Sequence, residues 1–184
     1  MKEKFLKQAS RTYSPRQRYL MLVFLAPIFL LGLPWLFIWL GGIVDRWLQL
    51  PAILPQPFNL VAGILLILPG WGFALWSIYS QFTIGRGTPV PLMATRQLVI
   101  QPPYTYCRNP MALGTIVMYL GVAFLFHSIG AAILVLIFST CLLLYIKFLE
   151  EKEMEARFGG EYRAYRQRTP FLVPRFRNQH QDMP

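Results

Sequence analysis

Acidic residues are scarce in this chain. Only 8 Asp and Glu stand against 18 Lys and Arg in 184 residues, a formal charge of +10. Charged residues of both signs make up 14%, where about 25% is usual for a soluble domain. Cysteine is nearly absent too. Cys107 and Cys141 give no disulfide framework and read as structural thiols. His127 and His180 are far apart, and no spacing of His, Cys, Asp or Glu suggests a metal site, so no metal is expected. A dinucleotide fingerprint is missing: GRG at 85–87 lacks the glycine pattern and follows no strand. A cleavable leader is not expected either, because the first apolar run is too long and no small-x-small site follows it. The basic residues bracket apolar runs, so the charge balance points to a membrane surface and not to nucleic acid.

What the chain has instead is hydrophobic length, 55% of its residues. Residues 1–18 form a basic tail with Lys2, Lys4, Lys7, Arg11, Arg16 and Arg18 against Glu3. Residues 19–42 are uncharged and long enough to span, with Pro27 and Pro34 inside and Trp35 and Trp39 placed as an interfacial belt. Residues 43–57 hold Asp45, Arg46 and three prolines and read as an outer loop, with a re-entrant or fifth span left open there. Residues 58–80 form a second span, where Pro69-Gly70 predicts a kink and Gly63, Gly70 and Gly72 offer close approach to another backbone. Residues 110–126 and 129–149 are two further runs joined by His127-Ser128, hence a tight hairpin, with His127 an interfacial residue at its outer turn.

The expected fold class is all-α: a polytopic membrane protein of about four transmembrane helices, with both termini cytoplasmic. Four spans put 17 of the 18 Lys and Arg on one side, leaving only Arg46 opposite, which by the positive-inside rule is the cytoplasm. The chain then divides into a tail (1–18), two N-terminal helices with an outer loop (19–80), a core (81–170) and a second tail (171–184). Residues 81–109 are the longest polar connection, with Arg86, Arg96 and Arg108 and no acid. Helix four is expected to run on to a left-handed glycine stop at Gly159-Gly160, with a short helix over 161–168.

Two stretches carry candidate chemistry, QPPYTYCRNPMALG at 101–114 and LEEKEMEARFGGEYRAY at 149–165. The hairpin between them brings both to the same face. Asn109-Pro110 reads as an N-cap followed by proline at the first helical position. The free N–H groups of that turn suit an anion, and Arg108 adds a fork able to hold a carboxylate. Taken alone, the stretch is equally a capped helix with an arginine at the headgroups. Glu150 and Glu151 sit near the bilayer, where acids are costly. Consecutive positions point about 100° apart, and Glu151 can pair with Lys147 at i,i+4, which leaves Glu150 as the pocket candidate.

The two motifs together resemble the isoprenylcysteine carboxyl methyltransferase / phospholipid methyltransferase superfamily of integral membrane enzymes. The likeness rests on Pro103, Tyr104, Tyr106 and the run Arg108-Asn109-Pro110-Met111, then on Glu150, Glu151, Phe158, Gly159, Glu161, Tyr162 and Tyr165. GRGTPVP at 85–91 is typical of bacterial members, and about half the chain is covered. The resemblance implies an S-adenosylmethionine-dependent methyltransferase with a small lipophilic, isoprenoid or lipid acceptor. It implies an inner-membrane location in a bacterium and a site facing the cytoplasm. Residue by residue it implies cofactor contacts at Leu98, Val99, Tyr104, Arg108, Asn109, Pro110, Met111 and Glu150. Catalytic residues stay unassigned, since displacement at a sulfonium asks mainly for alignment and a dry site. A departure is Ala112 for the usual tyrosine, which puts one wall of the cofactor slot in question. Ile146 stands where the carboxyl methyltransferases place an arginine, so a carboxylate acceptor is not supported. Alternatives are an NADPH-dependent lipid reductase of related architecture and a non-catalytic membrane protein retaining the fold.

Overall fold

The computed structural model describes residues 14–85 and 97–175, and every regular element among them is helical. Helix α1 (Pro15–Pro27) passes through a π turn (Ile28–Gly32) into α2 (Leu33–Leu48). Helix α3 (Phe58–Thr83) returns, and α4 (Pro110–Leu125) and α5 (Ile129–Tyr145) form a hairpin. A second π turn (Ile146–Glu150) joins α5 to α6 (Glu151–Arg168). Three stretches are long and apolar enough to cross a membrane: Tyr19–Leu48, Phe58–Thr83 and Ile129–Arg168. The shorter α4 is apolar as well. The chain is an integral, polytopic helical membrane protein.

Several boundaries differ from the sequence expectation. Helix α1 begins at Pro15, inside the expected tail, because Ser14 and Gln17 form a capping box. Helix α2 runs to Leu48, so 43–48 is helix and not loop; the left-handed Gln49 (φ 50°) ends it. The chain from 49 to 57 makes turns and no fifth span. Asp45 explains why a charge is tolerated there. Its carboxylate accepts from Ser128 Oγ at 2.5 Å and from Gly130 N at 2.6 Å, closing the N-terminus of α5. Helix α3 runs unbroken through Pro69 and reaches Thr83, shortening the polar connection. Arg86, Arg96, most of GRGTPVP, residues 1–13 and the tail from 176 lie outside the described residues.

The prolines of the first span are accommodated rather than broken at. Leu33 N bonds to Ile28 O across five residues, so the next carbonyl, Phe29 O, would need a donor from Pro34, which has none. The buried Tyr119 hydroxyl of α4 donates to it instead, at 2.6 Å. Tyr119 thereby ties α4 to the π turn, and Phe37, Met118 and Val135 pack around it.

The other close pair is α3 against α4, and it is built on glycine. A Cβ on Gly70 would stand 2.7 Å from Met118 N, and one on Gly114 2.5 Å from Gly70 O. Gly63 meets Gly121 in the same way, whereas Gly72 faces open space and takes no part. Small residues allow backbone contact between helices where no hydrophobic drive separates helix from lipid. The turns of the two hairpins meet at one end, where Ile53 N donates to His127 O at 3.4 Å. The His127 ring bridges Asn59 Nδ2 (2.7 Å) and Leu54 O (2.9 Å) there. His127 is thus a strut at that end. The site forms at the other end.

Candidate functional site

The 97–109 loop lies between the end of α3 and the start of α6 and is pinned on both sides. Ser80 Oγ of α3 donates to Pro102 O at 3.0 Å. Tyr165 OH of α6 donates to Tyr104 O at 2.7 Å. The chain after α6 then lies along the loop: Arg108 N donates to Pro170 O and Arg175 N to Tyr106 O, both at 2.9 Å. The Asn109 side chain is part of this strap. Its amide donates to Phe171 O at 2.9 Å and makes no cap on α4, contrary to the sequence reading. The Arg108 guanidinium sits 5.6 Å over the Phe171 ring.

Inside this frame lies a cavity of about 110 Å³. Six of the eight residues singled out from sequence border it: Leu98, Val99, Tyr104, Arg108, Asn109 and Glu150. Pro110 and Met111 do not; Pro110 is fully buried in the first turn of α4. Ala112 is buried away from the cavity, so its departure from the family pattern removes no wall here. Gln81 also borders the cavity and was not anticipated; Ile146, noted above in place of an arginine, and Met154 of the second motif border it too. Tyr162, Tyr165 and Glu151 do so as well, although their motif was recognised. Gln81 had no sequence signal, because it lies in an ordinary helix end. Met154 had one, as the position one turn beyond Glu150.

The sequence reading of the two glutamates needs correction. Glu151 does not pair with Lys147. Its backbone N–H bonds to Ile146 O in an i,i+5 turn, so position 151 is not stacked above 147 as an α-helix would place it. Glu151 instead stands 3.0 Å from Arg108 Nη2, with both side chains about nine-tenths buried. The contact is an ion pair by distance and not an aligned hydrogen bond. Both glutamates therefore border one cavity, and Glu150 is in no ion pair among the described residues.

The electrostatics of the site are unfinished. Arg108 Nε and Nη1, Tyr104 OH and Gln81 Oε1 are buried with no hydrogen-bond partner. Such groups are rare in folded proteins and each asks for a reason. Burial pushes the Tyr104 phenol up, so it stays a neutral donor. Burial also raises the Cys107 thiol to about 11, which keeps it protonated and inert beside the site. No group of three or more His, Cys, Asp and Glu among the described residues is placed to hold a metal. The charged set, Arg108, Glu150 and Glu151, suits an amino acid with its carboxylate and ammonium. The apolar and neutral set, Leu98, Val99, Tyr104 and Gln81, suits a flat base. That combination suits a ligand that joins an amino acid to a flat base.

Comparison with known proteins shows a methyltransferase family. The profile of the phospholipid methyltransferase family matches residues 58–161, more than half of the chain, from the start of α3 into α6. Methanethiol S-methyltransferase 2 of Bradyrhizobium diazoefficiens is 29% identical over 103 residues, which cover 56% of this chain and 38% of that protein. The match thus spans under two fifths of the relative's length. No solved structure matches the chain.

Proposed function

The chain belongs to the phospholipid methyltransferase family, and from that premise we propose that this membrane methyltransferase uses S-adenosylmethionine to methylate a small lipophilic acceptor. One observation carries the reading: a buried arginine with two unpartnered nitrogens and an unpaired glutamate border the same cavity. When bound, the cofactor supplies an activated methyl group on a sulfonium.

Arg108 holds the methionine carboxylate through charge-assisted hydrogen bonds, its position fixed by Glu151 on one side and Phe171 beneath. Glu150 takes the ammonium or the ribose hydroxyls. Leu98, Val99 and Tyr104 wall the nucleoside, while Pro110 and Met111 open helix α4 just after the loop. Ile146 and Met154 add apolar surface to the cavity, and exclusion of water by a bound ligand would strengthen each charge interaction within it. The protein's work is alignment and exclusion of water, and no side chain is needed to activate the leaving group.

The acceptor follows from Ile146, which borders the cavity where an anionic substrate would want a cation. A neutral, apolar acceptor is favoured, and the relative named above makes a small thiol the first to test. Read as four spans, the sequence puts 17 of the 18 Lys and Arg on the side of the two motifs, which supports a cytoplasmic site and, in a bacterium, an inner-membrane location.

The test is binding and turnover in detergent with S-adenosylmethionine beside NADPH, then methyl transfer to small thiols, isoprenoids and phospholipids. Wild type should bind S-adenosylmethionine alone, and Arg108→Ala and Glu150→Gln should each weaken it by about tenfold or more. Binding of NADPH with no affinity for S-adenosylmethionine would make the chain a reductase instead. Binding of neither would leave a non-catalytic family member.

A further inference from the structure

The charged end of the cavity is accounted for by an amino acid. The neutral end is not, and it holds two of the buried unpartnered atoms, Gln81 Oε1 and Tyr104 OH. Both border the cavity and are neighbours in its wall, Gln81 from the last turns of α3 and Tyr104 from the loop. Tyr104 is 7% exposed and its hydroxyl is buried. Ser80, the residue before Gln81, is bonded to Pro102 O, and Tyr104 O is held by Tyr165. Both groups are anchored through the backbone beside them, and the Gln81 side chain stands close enough to the Tyr104 phenol to act on it as a hydrogen-bond partner, although neither oxygen is in an aligned hydrogen bond.

An amide offers an acceptor and a donor side by side, and a phenol adds another donor. Adenine presents the complement on one edge: an amine that donates next to a ring nitrogen that accepts. The amide of a glutamine pairs with that edge by two hydrogen bonds. Leu98 and Val99 bring apolar surface for the flat faces of the ring.

We propose that Gln81, with the Tyr104 hydroxyl beside it, reads the adenine edge of the bound nucleoside and selects adenine over other bases. The assignment rests on the S-adenosylmethionine reading above and adds a residue that the sequence motifs do not contain. It also sets the direction of the ligand, with the base toward α3 and the amino acid toward α6.

The experiment compares S-adenosylhomocysteine with S-inosylhomocysteine, in which a carbonyl replaces the amine and the adjacent ring nitrogen carries a proton. Each is titrated onto the detergent-solubilised full chain as wild type, Gln81→Ala, Gln81→Glu and Arg108→Ala. Wild type should prefer the adenine compound by about tenfold or more, and Gln81→Ala should cut that preference to about threefold or less. Gln81→Glu, of equal size, should lose the preference too and carries the readout if the alanine variant fails to fold. Arg108→Ala should weaken both ligands and leave their ratio unchanged. Retention of the full preference by Gln81→Ala or Gln81→Glu would overturn the assignment, as would equal binding of both ligands by wild type, with the cofactor reading intact. Binding of neither ligand by wild type removes the cofactor reading and the adenine assignment together.

Discussion

Cys107 and Glu151 look alike in sequence, as polar residues flanking motif positions, but their surroundings give them opposite roles. Cys107 is fully buried and its thiol is raised from 9.0 to about 11. Since the folded state favours the protonated thiol, this contribution to stability is complete below pH 9 and is lost as pH rises toward 11. Alkylation with a maleimide at pH 7.5 should therefore leave Cys107 unmodified until the protein is unfolded; labelling of the native state at an ordinary rate would contradict this burial. Glu151 compensates a guanidinium in the protein interior. Glu151→Gln leaves that charge unpaired and should destabilise the fold by about 3 kcal/mol, measured by thermal unfolding in detergent. Arg108→Met added to it should restore part of the loss, because the charge itself is then gone. Arg108 and Glu150 were singled out in the sequence, and both border the cavity. The partner of Arg108 was not legible there, because the i,i+4 rule that assigned Glu151 to Lys147 assumes an α-helix, and the helix is π-wound there.

At the scale of elements, helices were readable and their contacts partly so. Gly63 and Gly70 were expected to admit another backbone and they do; Gly72 was expected to and does not. Helical phase separates them: Gly72 lies two residues on from Gly70, about 200° around the helix. Gly70→Ala should force α3 from α4, since its Cβ would meet Met118 N at 2.7 Å, at a cost of about 1–3 kcal/mol. Gly72→Ala faces open space and should be neutral or stabilising by up to about 1 kcal/mol. Equal effects of the two in a thermal melt would rule out this interface. Gly159 was read as a left-handed stop. Its φ of 54° is positive, but with ψ at −122° it is a bend only glycine enters freely, and α6 resumes beyond it. That bend sets the direction of the second half of α6, which carries Tyr162 and Tyr165 back to the cavity.

The whole molecule has two ends with different work. One end holds the short turns, Asp45 capping α5 and His127 bridging Asn59 and Leu54. The other holds the loop and the cavity, with Arg108, Glu150 and Glu151 in its wall. With four crossings, both motifs face the side that the basic residues mark. A single cysteine at exposed Trp47 in a Cys107→Ala, Cys141→Ala background should react with a membrane-impermeant maleimide from outside intact bacterial cells, and one at exposed Arg163 should react only after lysis. The reverse pattern would invert the proposed orientation.

Hydrophobic length and charge placement are properties of the chain read in order. They were enough to determine a polytopic helical membrane protein, its four apolar runs, the shared face of its two motifs and the family they resemble. Proximity is a different matter. The sequence could not say that Tyr119 would replace the donor missing at Pro34, or that Asp45 would cap a helix 85 residues away. Nor could it say that the segment after α6 would bind the Asn109 amide, or that Gln81 would complete the cavity. Those outcomes depend on which polar groups the packed helices leave without a partner, and only the tertiary structure decides where a buried donor meets a buried acceptor.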